Sequence, residues 1–185
     1  MAETPSKMIA LGTSAPVFTL QDTITGTSYS IEELKGDNAT VIMFICNHCP
    51  YVIHVIEQLI LLPQDYMIKG ISFTAINSND IISYPQDSPP KMKEFGKKHG
   101  FSFPYLFDSD QEVARAYGAA CTPDFFIFDE KLKLTYRGQL DNSRPGNNIP
   151  VSGSDIRNAL DRIIAGENVD PVQHPSIGCN IKWKG

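Results

Sequence analysis

The clearest feature of the hydrophobic pattern is an apolar, β-branched run over residues 40–45. A short continuous run of this kind predicts a strand buried on both faces, as in a parallel sheet. After the segment 46–51, the apolar positions of residues 52–62 fall on one broad arc of a helix, and we expect Pro63 to end it. Residues 71–76 are again apolar and predict the next strand. This succession of strand, turn, helix and strand is typical of α/β proteins.

Turn and capping signals divide the rest of the chain. Gly26 separates two short segments of strand-forming residues, which predicts an N-terminal β-hairpin. Ser30 and Glu33 have the spacing of a capping box, as do Ser109 and Glu112, so a helical turn is expected after each serine. Further helices are predicted over residues 88–100 and 152–165, and strands or extended segments over 103–107, 125–128 and 132–136.

These elements predict one α/β domain over residues 1–185, with a central mixed β-sheet flanked by helices on both faces. Residues 167–185 show no clear period and are expected to form a C-terminal tail. A chain of 185 residues, 42% of them hydrophobic, can bury about 70% of its unfolded surface, so its core needs no disulfide or metal ion.

Charge and hydropathy narrow the classes of partner. The net charge of −5 argues against a nucleic-acid partner, because such partners require a basic face. The first residues lack the apolar region of a signal peptide, and no apolar run is long enough to span a membrane. We therefore expect a cytoplasmic protein without a membrane span.

Cys46 and Cys49 are separated by two residues, at the point where a buried strand ends and a helix begins. The unpaired N–H groups and partial positive charge of a helix N-terminus favour a thiolate, which is the reactive form of cysteine. We predict a redox-active pair in which Cys46 is the exposed, attacking nucleophile and Cys49 is the resolving thiol. Asn47 and His48 lie between them, and the imidazole would further stabilise the thiolate.

Two other interpretations of the cysteine pair remain open. The thiols could be inert members of the core. They could also bind zinc, but a single Cys-x-x-Cys motif needs two further ligands and the chain has no second pair. We predict neither a metal ion nor a cofactor. The remaining cysteines and histidines are scattered singly: Cys121, Cys179, His54, His99 and His174.

The motifs together resemble the thioredoxin superfamily and, within it, the redoxin branch of peroxiredoxin-like and thiol–disulfide reductase-like domains. The specific combination is Cys-x-x-Cys followed later by Thr122-Pro123 before an apolar strand. Residues 12–22 are similar to the entry hairpin of that branch and residues 103–108 to its central insertion, so the resemblance spans about residues 12–165. It implies a thioredoxin-like fold with an N-terminal hairpin and a central insertion.

The resemblance also implies an activity and the residues that support it. The activity is disulfide exchange with a protein or small-molecule substrate, without a cofactor and with an external redox partner for regeneration. Pro123 would be cis and would face the Cys46–Cys49 pair. The main chain of Thr122 would then be offered to an extended substrate strand.

The sequence departs from its relatives at two places. Thioredoxin carries a buried Asp on the strand before its cysteines, whereas residues 40–45 carry no acid. General-base help for Cys49 would therefore come from Glu57, Asp124 or water, or be absent. The alternative function is a peroxiredoxin-like thiol peroxidase. Its family places a Pro and a Thr or Ser at fixed positions before the reactive cysteine. Those positions here hold Ala39 and Met43 relative to Cys46, and Ile42 and Cys46 relative to Cys49.

Cys121 and Cys179 are candidate accessory thiols. Cys121 precedes Pro123 by two residues, and Cys179 lies in an otherwise polar tail. They could form a second redox pair or relay electrons to Cys46 and Cys49. The alternative is that both are buried and unreactive.

Overall fold

The computed structural model describes residues 3–185. Within this range the strands are β1 (Glu3–Pro5), β2 (Thr19–Asp22), β3 (Ser28–Ser30), β4 (Ala39–Phe44), β5 (Ile71–Asn77), β6 (Tyr105–Phe107), β7 (Cys121–Thr122), β8 (Asp124–Asp129), β9 (Leu134–Gly138) and β10 (Ile177–Asn180). The α-helices are α1 (Pro50–Tyr66), α2 (Pro89–His99), α3 (Glu112–Tyr117) and α4 (Ser154–Ile164). Short 3-10 helices cover Met67–Lys69 and Pro85–Asp87.

Seven strands form the main sheet, in the order β3-β2-β6-β5-β4-β8-β9. The pairs β4/β5 and β5/β6 are parallel, whereas β2/β3, β2/β6, β4/β8 and β8/β9 are antiparallel, so the expected mixed sheet and N-terminal hairpin are confirmed. A parallel pair needs a crossover connection, and α1 supplies it between β4 and β5. The chain therefore turns at the carboxyl end of β4, and residues 46–49 make this turn.

The central strand β4 is buried along its whole length and faces a separate hydrophobic cluster on each side. Val41 packs with Leu160 of α4 and with residues of α1 in one cluster. Ile42 and Phe44 pack with Tyr117 of α3 in the other. Because successive side chains of a strand point to opposite faces, this alternation places helices on both sides of the sheet, as the pattern predicts.

A second, three-stranded sheet has the order β1-β10-β7, in which β10 comes from the tail. Its strands have 3, 4 and 2 residues, which is too short for their alternation to be recognised in the sequence. Gly178 lets β10 approach β7 closely, since a Cβ at this position would lie 2.0 Å from the carbonyl oxygen of Thr122. The tail is thus held against the segment that precedes Pro123.

Helix α1 is longer than the sequence pattern predicts, because Pro63 lies inside it and the helix continues to Tyr66. The lost backbone hydrogen bond is offset by burial of Leu62, Pro63 and Tyr66 against the core. The Tyr66 hydroxyl also donates to Asp161 of α4 at 2.8 Å. None of the helices formed by residues 3–185 has both the length and the apolar character to cross a bilayer.

One of the two capping boxes is confirmed. The Ser30 N–H donates to Glu33 at 2.8 Å and the Glu33 N–H to the Ser30 hydroxyl at 3.3 Å, although the segment forms a turn rather than a helix. The helix expected after Ser109 is present as α3, but the capping box between Ser109 and Glu112 is not formed. The carboxylate of Asp108 instead accepts the N–H groups of Val113 and Ala114, so the cap of α3 comes from one residue earlier.

We predict that Gly178→Ala lowers the free energy of unfolding by about 1–3 kcal/mol, because the added methyl group meets a carbonyl oxygen that cannot move away. Urea unfolding followed by circular dichroism measures the loss. Gly96→Ala is the matched control, because the nearest atom to its Cβ would be the flexible end of the Ile24 side chain and alanine favours a helix. An equal loss in both variants would contradict the close packing of β10 on Thr122.

Candidate functional site

The two cysteines of the motif flank the turn between β4 and α1. Cys46 follows β4 by two residues, and Cys49 is the N-cap of α1, whose first residue is Pro50. Both are free thiols, with only 1% and 0% of their surface exposed. The expectation that Cys46 is exposed is therefore wrong, because the residues around Asp87 and Thr122 pack over it.

Thr122 lies against both sulfur atoms. Its peptide bond to Pro123 is cis, as the resemblance implies. The Thr122 hydroxyl lies 3.5 Å from the Cys46 Sγ atom, and the Cys49 thiol donates to the Thr122 carbonyl oxygen at 3.2 Å. Both main-chain and side-chain oxygens of one residue thus satisfy a pair of thiols that water does not reach.

A hydrogen bond between the two thiols shifts their pKa values in opposite directions. The hydrogen bond from Cys46 lowers the pKa of the Cys49 thiol to about 5, despite burial. The same hydrogen bond, together with burial and the nearby Asp87 carboxylate, raises the pKa of the Cys46 thiol well above its usual value. This contact therefore favours the thiolate of Cys49 over the thiolate of Cys46.

Asn47 and His48 tie the motif to the loop that follows β5. The Asn47 N–H donates to Asp87 at 2.8 Å, and its side-chain amide donates to the carbonyl oxygen of Gln86 at 2.8 Å. The His48 Nδ1 atom lies 2.8 Å from Asp87 Oδ2, in a close contact without hydrogen-bond alignment, and its ring stacks on Tyr84. Every residue of the turn except the cysteines thus has a partner in this loop.

Asp87 is the residue of the site that the sequence analysis missed. Its side chain is fully buried. Burial would raise the pKa of this carboxyl, but His48, the amide of Asn79 and the N–H of Asn47 outweigh burial and hold it below its usual value. The available signal is the position of the loop after the carboxyl end of a predicted strand, but its polar composition is equally typical of a plain surface loop.

The acids expected to act as a general base lie elsewhere. Glu57 is exposed on α1. Asp124 is buried, and burial raises the pKa of its carboxyl to about 7, although hydrogen bonds from Ser6 and from the N–H of Ala120 oppose the rise. Asp87 is thus the carboxylate that raises the pKa of the Cys46 thiol, whereas Asp124 raises the pKa of the Cys121 thiol.

The turn and the loop also bring together atoms that one metal ion could bridge. The Cys46 sulfur, a ring nitrogen of His48 and a carboxylate oxygen of Asp87 lie within 4.8 Å of one another. The sequence analysis did not predict this set of ligands, because it weighed only cysteines and histidines and one member here is the carboxylate of Asp87. The oxygens of Asp87 already accept from Asn47 and Asn79, and the Cys46 thiol already contacts Cys49, so internal contacts account for the cluster.

The two remaining cysteines are both buried beside the site. Cys179 of β10 lies opposite Thr122 in the strand register, and Asn180 lies opposite Cys121. Neighbouring residues of a strand point to opposite faces, so Cys179 shares the face of Thr122 and Cys121 does not. The structure thus separates two residues that the sequence analysis considered together.

Comparison with known proteins agrees with this geometry. A thioredoxin domain of a thiol-disulfide oxidoreductase from Bacteroides vulgatus has a TM-score of 0.60 at 17% identity, with 71% of this chain and 89% of that chain covered. A buried thiol pair beside a cis-proline on such a sheet defines a thioredoxin-like protein. A family model described as Redoxin matches residues 10–158, and the chain therefore belongs to the Redoxin family.

Two further relatives extend the comparison. The crystal structure of an uncharacterized conserved protein from Geobacillus kaustophilus is 58% identical, with a TM-score of 0.98 and coverage of 100% of this chain and 97% of that one. The thiol-disulfide oxidoreductase ResA of Geobacillus thermodenitrificans (strain NG80-2) is 24% identical over 135 residues, which are 71% of this chain and 70% of ResA.

We predict that Asp87→Asn moves the pH profile of Cys46 alkylation to lower pH, because removal of the carboxylate charge favours the Cys46 thiolate. The variant should also lose about 1–3 kcal/mol of unfolding free energy through its buried contacts. Iodoacetamide labelling with peptide mass spectrometry measures the profile. Asp80→Asn, in the same loop, is the matched control. An unchanged or raised profile in Asp87→Asn alone would contradict the electrostatic role of Asp87.

Proposed function

We propose that this protein is a thiol–disulfide oxidoreductase whose redox pair is Cys46 and Cys49. The observation that carries the proposal is the contact between two free, buried thiols that both lie against Thr122, next to the cis bond to Pro123. The name of the relative ResA, a thiol-disulfide oxidoreductase, supports the class of reaction. The substrate class is a protein or small-molecule disulfide.

In the proposed cycle, Cys46 attacks one sulfur of the substrate disulfide and forms a mixed disulfide, while the other substrate sulfur leaves as a thiolate. Cys49 then attacks the Cys46 sulfur and releases the second substrate thiolate. The substrate gains two electrons, and the protein retains a Cys46–Cys49 disulfide. An external dithiol reductant regenerates the pair, and the same steps in reverse would oxidise a substrate dithiol.

The surroundings of the pair support this division of roles. Asn47 and His48 are the half-buried residues between two buried thiols, so a substrate would reach Cys46 on their side. The proton of the Cys46 thiol is already directed at the Cys49 sulfur. Transfer along this contact would supply the attacking thiolate without a separate base.

The peroxidase alternative has less support. Peroxiredoxins place a Pro and a Thr or Ser at fixed positions before their reactive cysteine, and the corresponding positions before Cys46 hold Ala39 and Met43. The cytoplasmic location and the lack of a nucleic-acid partner stay predictions from the sequence.

We predict that Cys49→Ser accumulates a mixed disulfide at Cys46 when treated with oxidised glutathione, because the resolving thiol is missing. Cys46→Ser should lower catalysed reduction of a disulfide-bonded peptide to the uncatalysed rate, and Cys121→Ser is the matched control that keeps the activity. Intact-protein and peptide mass spectrometry locates the adduct. An adduct that forms on Cys49 of Cys46→Ser but not on Cys46 of Cys49→Ser would reverse the proposed roles.

A further inference from the structure

The C-terminal strand occupies the position that the sequence analysis assigned to a substrate. The resemblance implied that the main chain of Thr122 pairs with an extended strand of a substrate. In the structure, β10 of the same chain lies there, antiparallel to β7, with Cys179 directly opposite Thr122. Gly178 allows this approach, since any side chain there would overlap the Thr122 carbonyl.

This arrangement places a third thiol beside the redox pair. Cys179 is 3% exposed and belongs to the same core cluster as Cys46 and Cys49. Its thiol shares the Thr122 face of β7, and the Thr122 carbonyl accepts the Cys49 thiol at 3.2 Å. Cys179 and Cys49 also contact each other through their sulfur atoms, which adds to the lowering of the pKa at Cys49 and to the raising at Cys179.

We propose that Cys179 is a third redox-active thiol, which receives the disulfide from Cys46–Cys49 by attack on the Cys49 sulfur. This proposal rests on the proposed function, because a disulfide must first form between Cys46 and Cys49. In the step, a bond forms between the sulfurs of Cys179 and Cys49, and the bond between Cys49 and Cys46 breaks. The electron pair leaves with the Cys46 sulfur, which takes up the proton given up by Cys179.

The redox state of the pair affects the pKa of the Cys179 thiol. Burial, followed by the hydrogen bond and charge of Cys49, raises the pKa of the Cys179 thiol to about 12, so Cys179 stays protonated while the pair is reduced. When Cys49 enters a disulfide it loses its charge, and the nearby Lys182 ammonium favours the Cys179 thiolate. Oxidation of the pair therefore removes the part of the pKa rise at Cys179 that Cys49 causes, while the part caused by burial remains.

The exchange has two consequences for the reaction. Cys46 returns to the thiol form while the protein still holds one disulfide, so it can engage a second substrate. The tail strand also becomes covalently linked to the N-terminus of α1. No net oxidation or reduction occurs in the exchange itself.

Cys121 does not share these features and provides the control. Its thiol donates to the carbonyl oxygen of Pro123 at 3.7 Å, on the opposite face of β7 from Cys179. Burial and the Asp124 carboxylate raise the pKa of its thiol. A disulfide between Cys121 and Cys179 is therefore not part of the proposal.

The test is oxidation of the full chain with oxidised glutathione, followed by acid quenching, alkylation of free thiols, proteolysis and mass spectrometry. In the wild type we expect Cys46–Cys49 to form first and a Cys49–Cys179 disulfide to appear later, while Cys46 becomes alkylatable again. Cys46→Ser should form Cys49–Cys179 directly. Cys179→Ser should remove that disulfide and keep Cys46–Cys49, and Cys121→Ser should change neither.

The outcomes separate the two proposals. A wild type that forms Cys46–Cys49 would leave the proposed function intact, and absence of Cys49–Cys179 from both the wild type and Cys46→Ser would overturn the role of Cys179. A wild type in which Cys46 and Cys49 never pair would overturn the proposed function itself. Far-ultraviolet circular dichroism and urea unfolding establish that each variant is folded before it is scored.

Discussion

The site depends on the main chain and hydroxyl of Thr122. Buried thiols without a polar partner are weakly held and free to reorient, whereas here the Cys49 thiol donates to the Thr122 carbonyl and the Cys46 sulfur lies beside its hydroxyl. The same residue pairs with Cys179 of the C-terminal strand. One residue before Pro123 therefore fixes the relative positions of three sulfur atoms.

The three thiols differ in the direction in which their surroundings shift the pKa. Cys49 accepts hydrogen bonds at the N-terminus of a helix, where negative charge is favoured, and its pKa falls. Cys46 and Cys179 donate to it, and both have raised pKa values. Asp87 adds a buried negative charge next to Cys46, compensated by His48 and by amide donors. The site thus favours the thiolate at Cys49 over the thiolates at its two neighbours.

Local sequence signals predicted most of this arrangement, and long-range contacts account for what they missed. The pair Cys46–Cys49 was predictable because a strand, a turn and a helix follow one another within the chain. Asp87 was not, because it contacts the turn from 40 residues away, out of a loop whose polarity is typical of a surface. The position of Cys179 depends on a strand of 4 residues, too short to show a period. The burial of Cys46 likewise depends on Asp87 and Thr122, which are distant in the chain, and its exposure was therefore predicted wrongly.

The most direct test of the central claim is a redox titration of the full chain in glutathione buffers, read by mass-tagging of free thiols, with Cys46→Ser alongside. The account predicts that Cys46 and Cys49 lose their tags together, in a reversible two-electron transition with a slope of about 30 mV per tenfold change, and that Cys46→Ser lacks this transition. The account would be contradicted if the Cys46 and Cys49 thiols both remained free, and therefore tagged, across the whole range of redox potential.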